Sequence, residues 1–500
     1  MTWAGPHSRA LNPLDMERAE AEAVYEQGRE TVVAVLLELS AQNASLRRQV
    51  AGLGERLTKQ DERIAELERR LNRNSGNSSL PPSQDPPTAP ERRQAAPSGR
   101  GRGAQPGHPG RGRHLLPIAS LDELVEHWPA RCRCGHVFCA AEREALGEPV
   151  RHQVAELPPT AVKLSEHRLW RLRCPHCGAT TRAELPAAVP PGAFGARLQA
   201  AVATLAVRNR VSRRDTTELL RELFGAELAT GSIDAIVQHA GEALAEPHAQ
   251  LADRIRCAPA VNIDETGWRT AGQRRTLWGA LSAREAVFRI APDRDRREAQ
   301  ALLGEESPGI ACSDRWWAYD YLDPKRRQLC WAHLVRDFSA HSEGFADQKA
   351  FGVAGLKIAA RLFVAWDECR FDADRTRLGE RIGPLKEELW ALLERAARKS
   401  TRTRRHRGFA NNLLKRWPAL WTFASVAGVE PTNNHAERGL RGAVIYRKLS
   451  LGSQSDRGER SIERLLSASV TCRLQGRSLF AYLSDVLAAK IRGDPIPLLA

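Results

Sequence analysis

Apolar side chains recur along residues 36–71 at spacings that alternate strictly between three and four. This 3.5-residue period predicts a coiled coil over residues 31–73, after an N-terminal segment at 1–30, because a helix packed on its own domain needs a broader apolar face. Asn43 lies in the seam, where a buried amide fixes register and favours a parallel pair. We therefore expect the chain to associate with itself, as a dimer or higher oligomer. The seam residues are Leu36, Leu39, Asn43, Leu46, Val50, Leu53, Leu57, Gln60, Ile64, Leu67 and Leu71.

Residues 74–114 lack an apolar period. From 74 to 113 they contain eight Pro, seven Gly and six Arg against two acidic residues. A segment of this composition buries too little apolar surface to fold. We predict a disordered basic linker, which is either a plain spacer or an arm whose Arg-Gly repeats lie along nucleic-acid phosphates.

Two helical patterns, at 212–224 and 232–245, are joined by the turn-like GAELATGS. They resemble a helix-turn-helix and make residues 191–255 a candidate DNA-binding region. The second helix offers no Arg or Lys to reach guanine edges, so a helical packing module is the equal alternative.

From Cys257 the pattern changes to short apolar runs. We predict strands in APAVNIDETGW, TLWGALSA and AVFRIAP, a helix at 296–303, and a fourth strand in GIACSD. This order opens a ribonuclease-H-like α/β fold, expected over residues 256–342, in which the first and fourth strands lie side by side. Asp264 and Asp314 each stand at the end of an apolar strand, so the fold would bring the two carboxylates together.

Length, hydrophobic content and net charge indicate the number of structural units and the kind of partner. A chain of 500 residues with 42% hydrophobic content exceeds one compact core, and a net charge of +15 carried mostly by Arg favours a polyanion such as nucleic acid. A GC-rich coding bias is the rival explanation of the arginines. Because no apolar run approaches the ~20 residues that cross a bilayer and no signal segment is evident, we expect a cytoplasmic, nucleoid-associated protein without a membrane partner.

Five of the ten cysteines cluster between residues 132 and 177. Cys132 and Cys134, then Cys174 and Cys177, form two knuckles that each precede a glycine, a pattern typical of one structural zinc ion. The first knuckle is CxC, so Cys139 or His136 is an alternative ligand, and unliganded cysteines are the other interpretation. A zinc-binding domain is therefore predicted over 115–190.

Adjacent carboxylates repel each other unless a cation lies between them, and hard oxygen donors suit Mg²⁺ or Mn²⁺. Asp264 and Asp314 thus predict a metal site, which two ions would occupy in a phosphodiester displacement. Glu437, in PTNNHAERGLRG, is the candidate third acid. Arg438 and Arg441 follow it in the same helix, where they could meet phosphates.

Further cations are candidate DNA contacts. Arg447 and Lys448 follow the acidic helix, together with Ser453-Gln454-Ser455. Arg404 and Arg405 belong to a basic run at 398–407, for which solvated surface is the equal alternative. Cys330-Trp-Ala-His333 has a metal-like spacing, but its apolar flanks favour packing over ligation.

Several segments, in this order, resemble the insertion-sequence-sixty-six family of bacterial transposases. They are IDETGWR, CSDRWWAYD, LCWAHLVRDF, PTNNHAERGLR and RKLSLGSQSDRGERSIERLLS, preceded by NSGNSSLPPSQD, AQPGHPG and the cysteine knuckles. The resemblance covers nearly the whole chain, although the family's first knuckle is usually CxxC. It implies that Asp264, Asp314 and Glu437 are the catalytic acids of a DDE site, that residues 343–425 are a helical insertion, and that 426–500 form a C-terminal helical part.

The predicted fold class is thus multidomain α+β: a coiled coil, a small zinc domain, a helix-turn-helix-like region and a ribonuclease-H-like catalytic domain with a helical insertion. The expected activity is transposition, in which two metal ions support cleavage at the element's ends and joining to target DNA. Companion proteins encoded by the same element are further candidate partners. The rival functions are a nuclease that only hydrolyses, and a zinc-stabilised coiled-coil DNA-binding protein whose acidic site is inactive.

Overall fold

The computed structural model describes residues 17–71, 115–306, 308–344, 346–372, 375–398 and 404–499. The predicted linker at 74–114 and residues 1–16 of the N-terminal segment lie outside these ranges. The chain divides into two compact units, residues 1–98 and 99–500. Among the described helices, none has the length and apolar character needed to cross a bilayer.

The described part of the first unit consists of helices α1 (Arg18–Glu26) and α2 (Arg29–Leu71). Helix α2 covers the predicted heptad segment without a break, which confirms its helical character. Most of the seam side chains are exposed, although Val24 of α1 is buried. An apolar seam along a 43-residue helix is an unsatisfied packing surface. The exposed seam residues are Leu36, Leu46, Val50, Leu53, Leu57, Ile64, Leu67 and Leu71.

The second unit mixes α-helices with two β-sheets, in agreement with the predicted α+β class. A small hairpin consists of β1 (Arg171–Arg173) and β2 (Thr180–Arg182). The strands of the larger sheet are β3 (Ala260–Thr270), β4 (Gln273–Leu281), β5 (Ala286–Ala291), β6 (Ile310–Ser313) and β7 (Arg327–Leu329). The helices are α3 (Ala196–Ala203), α4 (Arg213–Phe224), α5 (Thr230–Ala243), α6 (Ala245–Cys257), α7 (Arg296–Leu303), α8 (Trp331–Ser342), α9 (Ala346–Cys369), α10 (Thr376–Ala397), α11 (Arg404–Lys415), α12 (Asn434–Ser450), α13 (Asp456–Leu474) and α14 (Leu479–Arg492).

The larger sheet has five strands in the order β5-β4-β3-β6-β7. Strands β3, β4 and β5 are antiparallel neighbours, whereas β6 runs parallel to β3 and β7 parallel to β6. The first and fourth strands are therefore adjacent, as the sequence pattern predicts. The helix predicted at 296–303 is α7, and the two predicted helices before the sheet are α4 and α5.

Helix α13 covers the open edge of β5 with polar side chains. The backbone N–H groups of Ala286, Phe288 and Ile290 donate to Thr471 Oγ1, Ser467 Oγ and Glu463 Oε1 at 3.0, 2.9 and 2.5 Å. The three acceptors are four residues apart, so they lie on one face of the helix. Burial raises the pKa of Glu463 to about 7. The polar face of α13 thus satisfies an edge strand that would otherwise be open to pairing with another chain.

Replacing Ser467 by Ala should lower the free energy of unfolding by about 1–3 kcal/mol, because the buried N–H of Phe288 loses its acceptor. Ser484→Ala is the matched control: Ser484 is also buried, but its hydroxyl donates to Phe480 O within α14 and accepts from no strand. Denaturant titration of both variants measures the difference. Equal stabilities of the two variants would contradict a role for α13 in sealing the edge.

The second unit has two hydrophobic cores among its described residues. One joins helices α3–α7 and α12–α14 to the sheet. The other joins helices α8–α11 and the segment 419–429 to the sheet residues Cys312 and Leu329. The helices of residues 191–255 therefore share a core with the sheet, and the segment 343–425, predicted as an insertion, is helical with a core largely of its own.

Candidate active site

Asp264 and Asp314 are brought together by the parallel pairing of β3 and β6. Asn262 is the register partner of Cys312, and the two aspartates lie two residues further along each strand direction. Asp314 directly follows β6, as predicted, and its Oδ1 accepts the Trp316 N–H at 2.8 Å. Asp264 does not end its strand, which corrects the prediction: β3 continues to Thr270 because it pairs with β4 as far as the hairpin turn.

Glu437 is positioned by an anchor at the start of α12. Asn433, just before the helix, is fully buried; its Nδ2 donates to Ile263 O at 2.7 Å and its Oδ1 accepts from Asn262 Nδ2 at 3.0 Å. Helix α12 also approaches the sheet closely, since a Cβ at Gly439 would collide with Leu281. The first turn of α12 is thereby fixed beside the strand that carries Asp264.

The electrostatics of the site follow from this convergence of carboxylates. The pKa of Asp264 is raised to about 8. The largest cause is burial, the next is the charge of Glu265, and the charges of Asp314 and Glu437 act in the same direction. Glu437 Oε1 is buried and has no hydrogen-bond partner. The charges of these carboxylates therefore oppose one another, an arrangement that a cation would stabilise.

His333 and Arg336, on helix α8, face Glu437. His333 Nδ1 and Arg336 Nη2 each lie 4.0 Å from Glu437 Oε1, and His333 Nδ1 is buried without a partner. Burial and the neighbouring Arg336 lower the pKa of His333, although the nearby acids oppose this shift. The prediction of packing holds for Cys330, which is buried and whose Sγ accepts the Asn433 N–H; His333 instead borders the site.

Glu265, next to Asp264, is held by two partners that the sequence pattern did not reveal. Tyr319 donates to Glu265 Oε2 at 2.5 Å, and Arg294 Nε donates to Oε1 at 2.8 Å. The Arg294 guanidinium also lies 4.3 Å above the ring of Trp316, the residue whose backbone N–H donates to Asp314 Oδ1. Glu265 thus ties the loop after β6 to β3 and keeps Asp314 in place.

The three side chains are carboxylates, the ligand type that a hard divalent cation prefers, and the buried Oε1 of Glu437 has no hydrogen-bond partner. In the described residues, however, no group of three or more His, Cys, Asp or Glu side chains is gathered closely enough to hold a metal ion. The chemistry of the acids fits Mg²⁺ or Mn²⁺, and ligation by all three would require them to draw closer than they lie here.

A family model described as "Transposase IS66 family" matches residues 191–461, more than half of the chain and all of the elements that build this site. The chain belongs to the IS66 transposase family. A second model, described as a family of unknown function, matches residues 15–114. Membership implies an enzyme that acts on DNA, and the resemblance seen in the sequence motifs is confirmed.

Two relatives come from Sinorhizobium fredii (strain NBRC 101917 / NGR234). The uncharacterized protein y4hP is 26% identical over 418 residues, which cover 75% of this chain and 73% of that protein. The uncharacterized protein y4qI is 28% identical over 170 residues, or 33% of this chain and 31% of that protein. Neither name assigns an activity.

The predicted DNA contacts of this IS66-family chain differ in accessibility. Arg438, Arg441 and Lys448 are exposed along α12. Arg447 is instead bound to β3, donating to Gly267 O and, at 3.2 Å, to Thr266 Oγ1. Tyr446 and Ser453 are buried. The side chains of Arg404 and Arg405 lie outside the described residues.

The two cysteine knuckles are each formed as local turns. In the β1–β2 hairpin, the Cys174 N–H donates to Ala179 O at 2.8 Å and Gly178 adopts a positive φ of 72°. Backbone N–H groups of Cys177 and His176 lower the pKa of the Cys174 thiol, and that of His136 lowers the pKa of Cys134. Cys132 and Cys177 are exposed. In each knuckle, therefore, the pKa of one thiol is lowered toward the thiolate, the form that binds metal.

Proposed function

We propose that this IS66-family chain is a DDE transposase in which Asp264, Asp314 and Glu437 together bind two divalent metal ions. The observation that carries the proposal is the placement of three carboxylates, on β3, after β6 and in the first turn of α12, near enough for their charges to interact; one of them has an unpartnered buried oxygen. The strand order β5-β4-β3-β6-β7 supports a ribonuclease-H-like catalytic domain.

The residues of the chain perform the positioning. The Trp316 N–H holds Asp314, the backbone of β3 holds Asp264, and Asn433 holds the helix that carries Glu437. Bound Mg²⁺ or Mn²⁺ would supply activation of the attacking hydroxyl and stabilisation of the leaving oxygen. Arg438 and Arg441, exposed near the N-terminus of α12, would contact the phosphates on either side of the scissile bond.

Transposition in this form needs the DNA ends, the target DNA and a second copy of the chain. It would take place in the bacterial cytoplasm, at the nucleoid. The test is magnesium-dependent cleavage of duplexes carrying the element's ends, followed by joining of precut ends to target DNA. Cleavage with joining supports the proposal; cleavage alone means a nuclease; binding without either reaction, with and without companion proteins, means an inactive DNA-binding protein.

We propose that α2 forms a parallel coiled coil with a second copy, because its seam is apolar and exposed. Substituting Leu53 and Leu57 by Glu should shift the full-length chain to the monomer in sedimentation analysis, because charges in the seam would be desolvated. Glu55→Gln with Lys59→Gln, outside the seam, should leave the oligomer intact. An unchanged mass of the Leu53/Leu57 variant would contradict the coiled-coil interface.

We also propose one structural Zn²⁺ held by Cys132, Cys134, Cys174 and Cys177. Elemental analysis of the purified chain should give about one zinc per chain, and Cys174→Ser with Cys177→Ser should abolish it, because four thiolates match tetrahedral zinc. The buried Cys312→Ser variant is the control. Retention of zinc without the second knuckle would contradict this ligand set.

A further inference from the structure

The loop that follows Asp314 holds two adjacent tryptophans in different environments. The Trp316 ring lies under the Arg294 guanidinium, and the Trp316 backbone N–H donates to Asp314 Oδ1. Trp317 begins a short 3₁₀ turn and its side chain is 51% exposed, although the next two residues, Ala318 and Tyr319, are fully buried. The loop is firmly held, and it leaves one large aromatic ring open to contact with a bound ligand.

The Trp317 ring lies close to the acidic site. Its centroid is 5.8 Å from that of Trp316, whose backbone N–H donates to Asp314. The loop is held on its other side by Tyr319, which donates to Glu265, the residue next to Asp264. Trp317 is therefore three residues beyond Asp314 on a loop that is hydrogen-bonded to β3.

The surrounding charge indicates what would cover the ring. Arg294 and Arg336 border the acidic site with side chains that are 45% and 50% exposed, so DNA bound at that site would find cations for its phosphates there. A nucleobase has a π-face that stacks on an aromatic ring, whatever its sequence. A base can only reach such a ring after it has left the duplex stack.

We infer that Trp317 is a stacking platform for an unpaired base next to the scissile phosphate of the DNA strand bound at the acidic site. The inference rests on the proposed function and adds a base contact to it. By stacking the displaced base, Trp317 stabilises a locally opened duplex and so leaves the phosphate accessible to the three acids.

The first test is zero-length photocrosslinking in the Asp264→Ala variant of the full chain, which holds the DNA uncut. Duplexes carry 5-iodouracil at each nucleotide flanking the cleavage position of the element's end. We expect a crosslink to the peptide that contains Trp317 from one of these positions. A crosslink that maps only elsewhere, at a yield unaffected by Trp317→Ala, overturns the inference, and this readout does not depend on cleavage.

The second test compares paired and pre-opened substrates. Trp317→Ala should slow single-turnover cleavage of the paired duplex about 10-fold, the factor expected from the loss of one stacked base. A mismatch at the flanking position should restore most of this loss, and Trp317→Phe should retain most activity. Trp390→Ala, an exposed tryptophan of α10, is the control.

An equal loss on both substrates would mean a structural role, and no loss would mean no role; either overturns the inference. A change of oligomeric state in Trp317→Ala without loss of the crosslink would assign the ring to a protein surface and overturn it as well. If the native chain binds but never cuts, the proposed function fails, and the crosslink alone decides the role of Trp317.

Discussion

Replacing any one of the three acids by its amide will reduce magnesium-dependent cleavage of element ends by at least about a thousand-fold, because each amide removes one charge that divalent ions need. The variants are Asp264→Asn, Asp314→Asn and Glu437→Gln. DNA affinity should change little, since the amides remove no cation and relieve repulsion. Single-turnover cleavage and fluorescence anisotropy measure the two quantities on the same preparations.

The amides should also leave the fold intact. Asp264 is buried among other carboxylates, so its replacement by a neutral side chain of equal size removes repulsion and should not lower the unfolding temperature. Glu430→Gln, an exposed carboxylate just before α12, is the control and should cut normally. If one amide variant retains native cleavage, that acid is not part of the triad and the assignment of the site fails.

Asn433→Leu will affect activity and stability together. The substitution removes the acceptor of Asn262 and the donor to Ile263 O, which should lower the free energy of unfolding by roughly 2–4 kcal/mol. It also releases the first turn of α12 from β3, so Glu437 is misplaced and cleavage per folded molecule should fall about a hundred-fold. Denaturant titration and cleavage at a temperature where the variant is fully folded measure the two effects.

Asn411→Leu, at an exposed position of α11, provides the control and should change neither quantity. Asn433→Ser, which keeps a short polar side chain, should recover part of both losses. A variant that is destabilised but cuts normally once folded would show that Asn433 only stabilises the fold, and that α12 finds its position without it.

Local patterns in the sequence determined much of the protein. The heptad repeat predicted the single helix α2, and the short apolar runs after Cys257 predicted the strands that carry Asp264 and Asp314. These inferences succeed because burial of a helix face or of a short strand selects apolar residues that are close together along the chain. The prediction that the first and fourth strands are neighbours followed from the same order of elements, and the sheet confirms it.

The error in the placement of Asp264 has the same origin. The apolar run ends near Ile263 and predicts a strand end at Asp264, although the predicted segment APAVNIDETGW continues beyond it. Strand β3 pairs with β4 as far as Thr270, and this pairing leaves no mark in hydropathy. The role of the polar residues of α13 also could not be inferred from the sequence. Their side-chain oxygens accept hydrogen bonds from backbone N–H groups of β5, which lies about 180 residues earlier in the chain.

Only the tertiary structure decided which side chains surround the three acids. Asn262 and Asn433 are 171 residues apart and meet because α12 packs on β3. His333, interpreted as packing, borders Glu437, whereas Arg447, interpreted as a DNA contact, is bound to β3. The sequence determined the helices, the strands and the acids, since those depend on neighbours along the chain. The structure determined how the acids are held, because buried polar contacts form between distant segments and have no period.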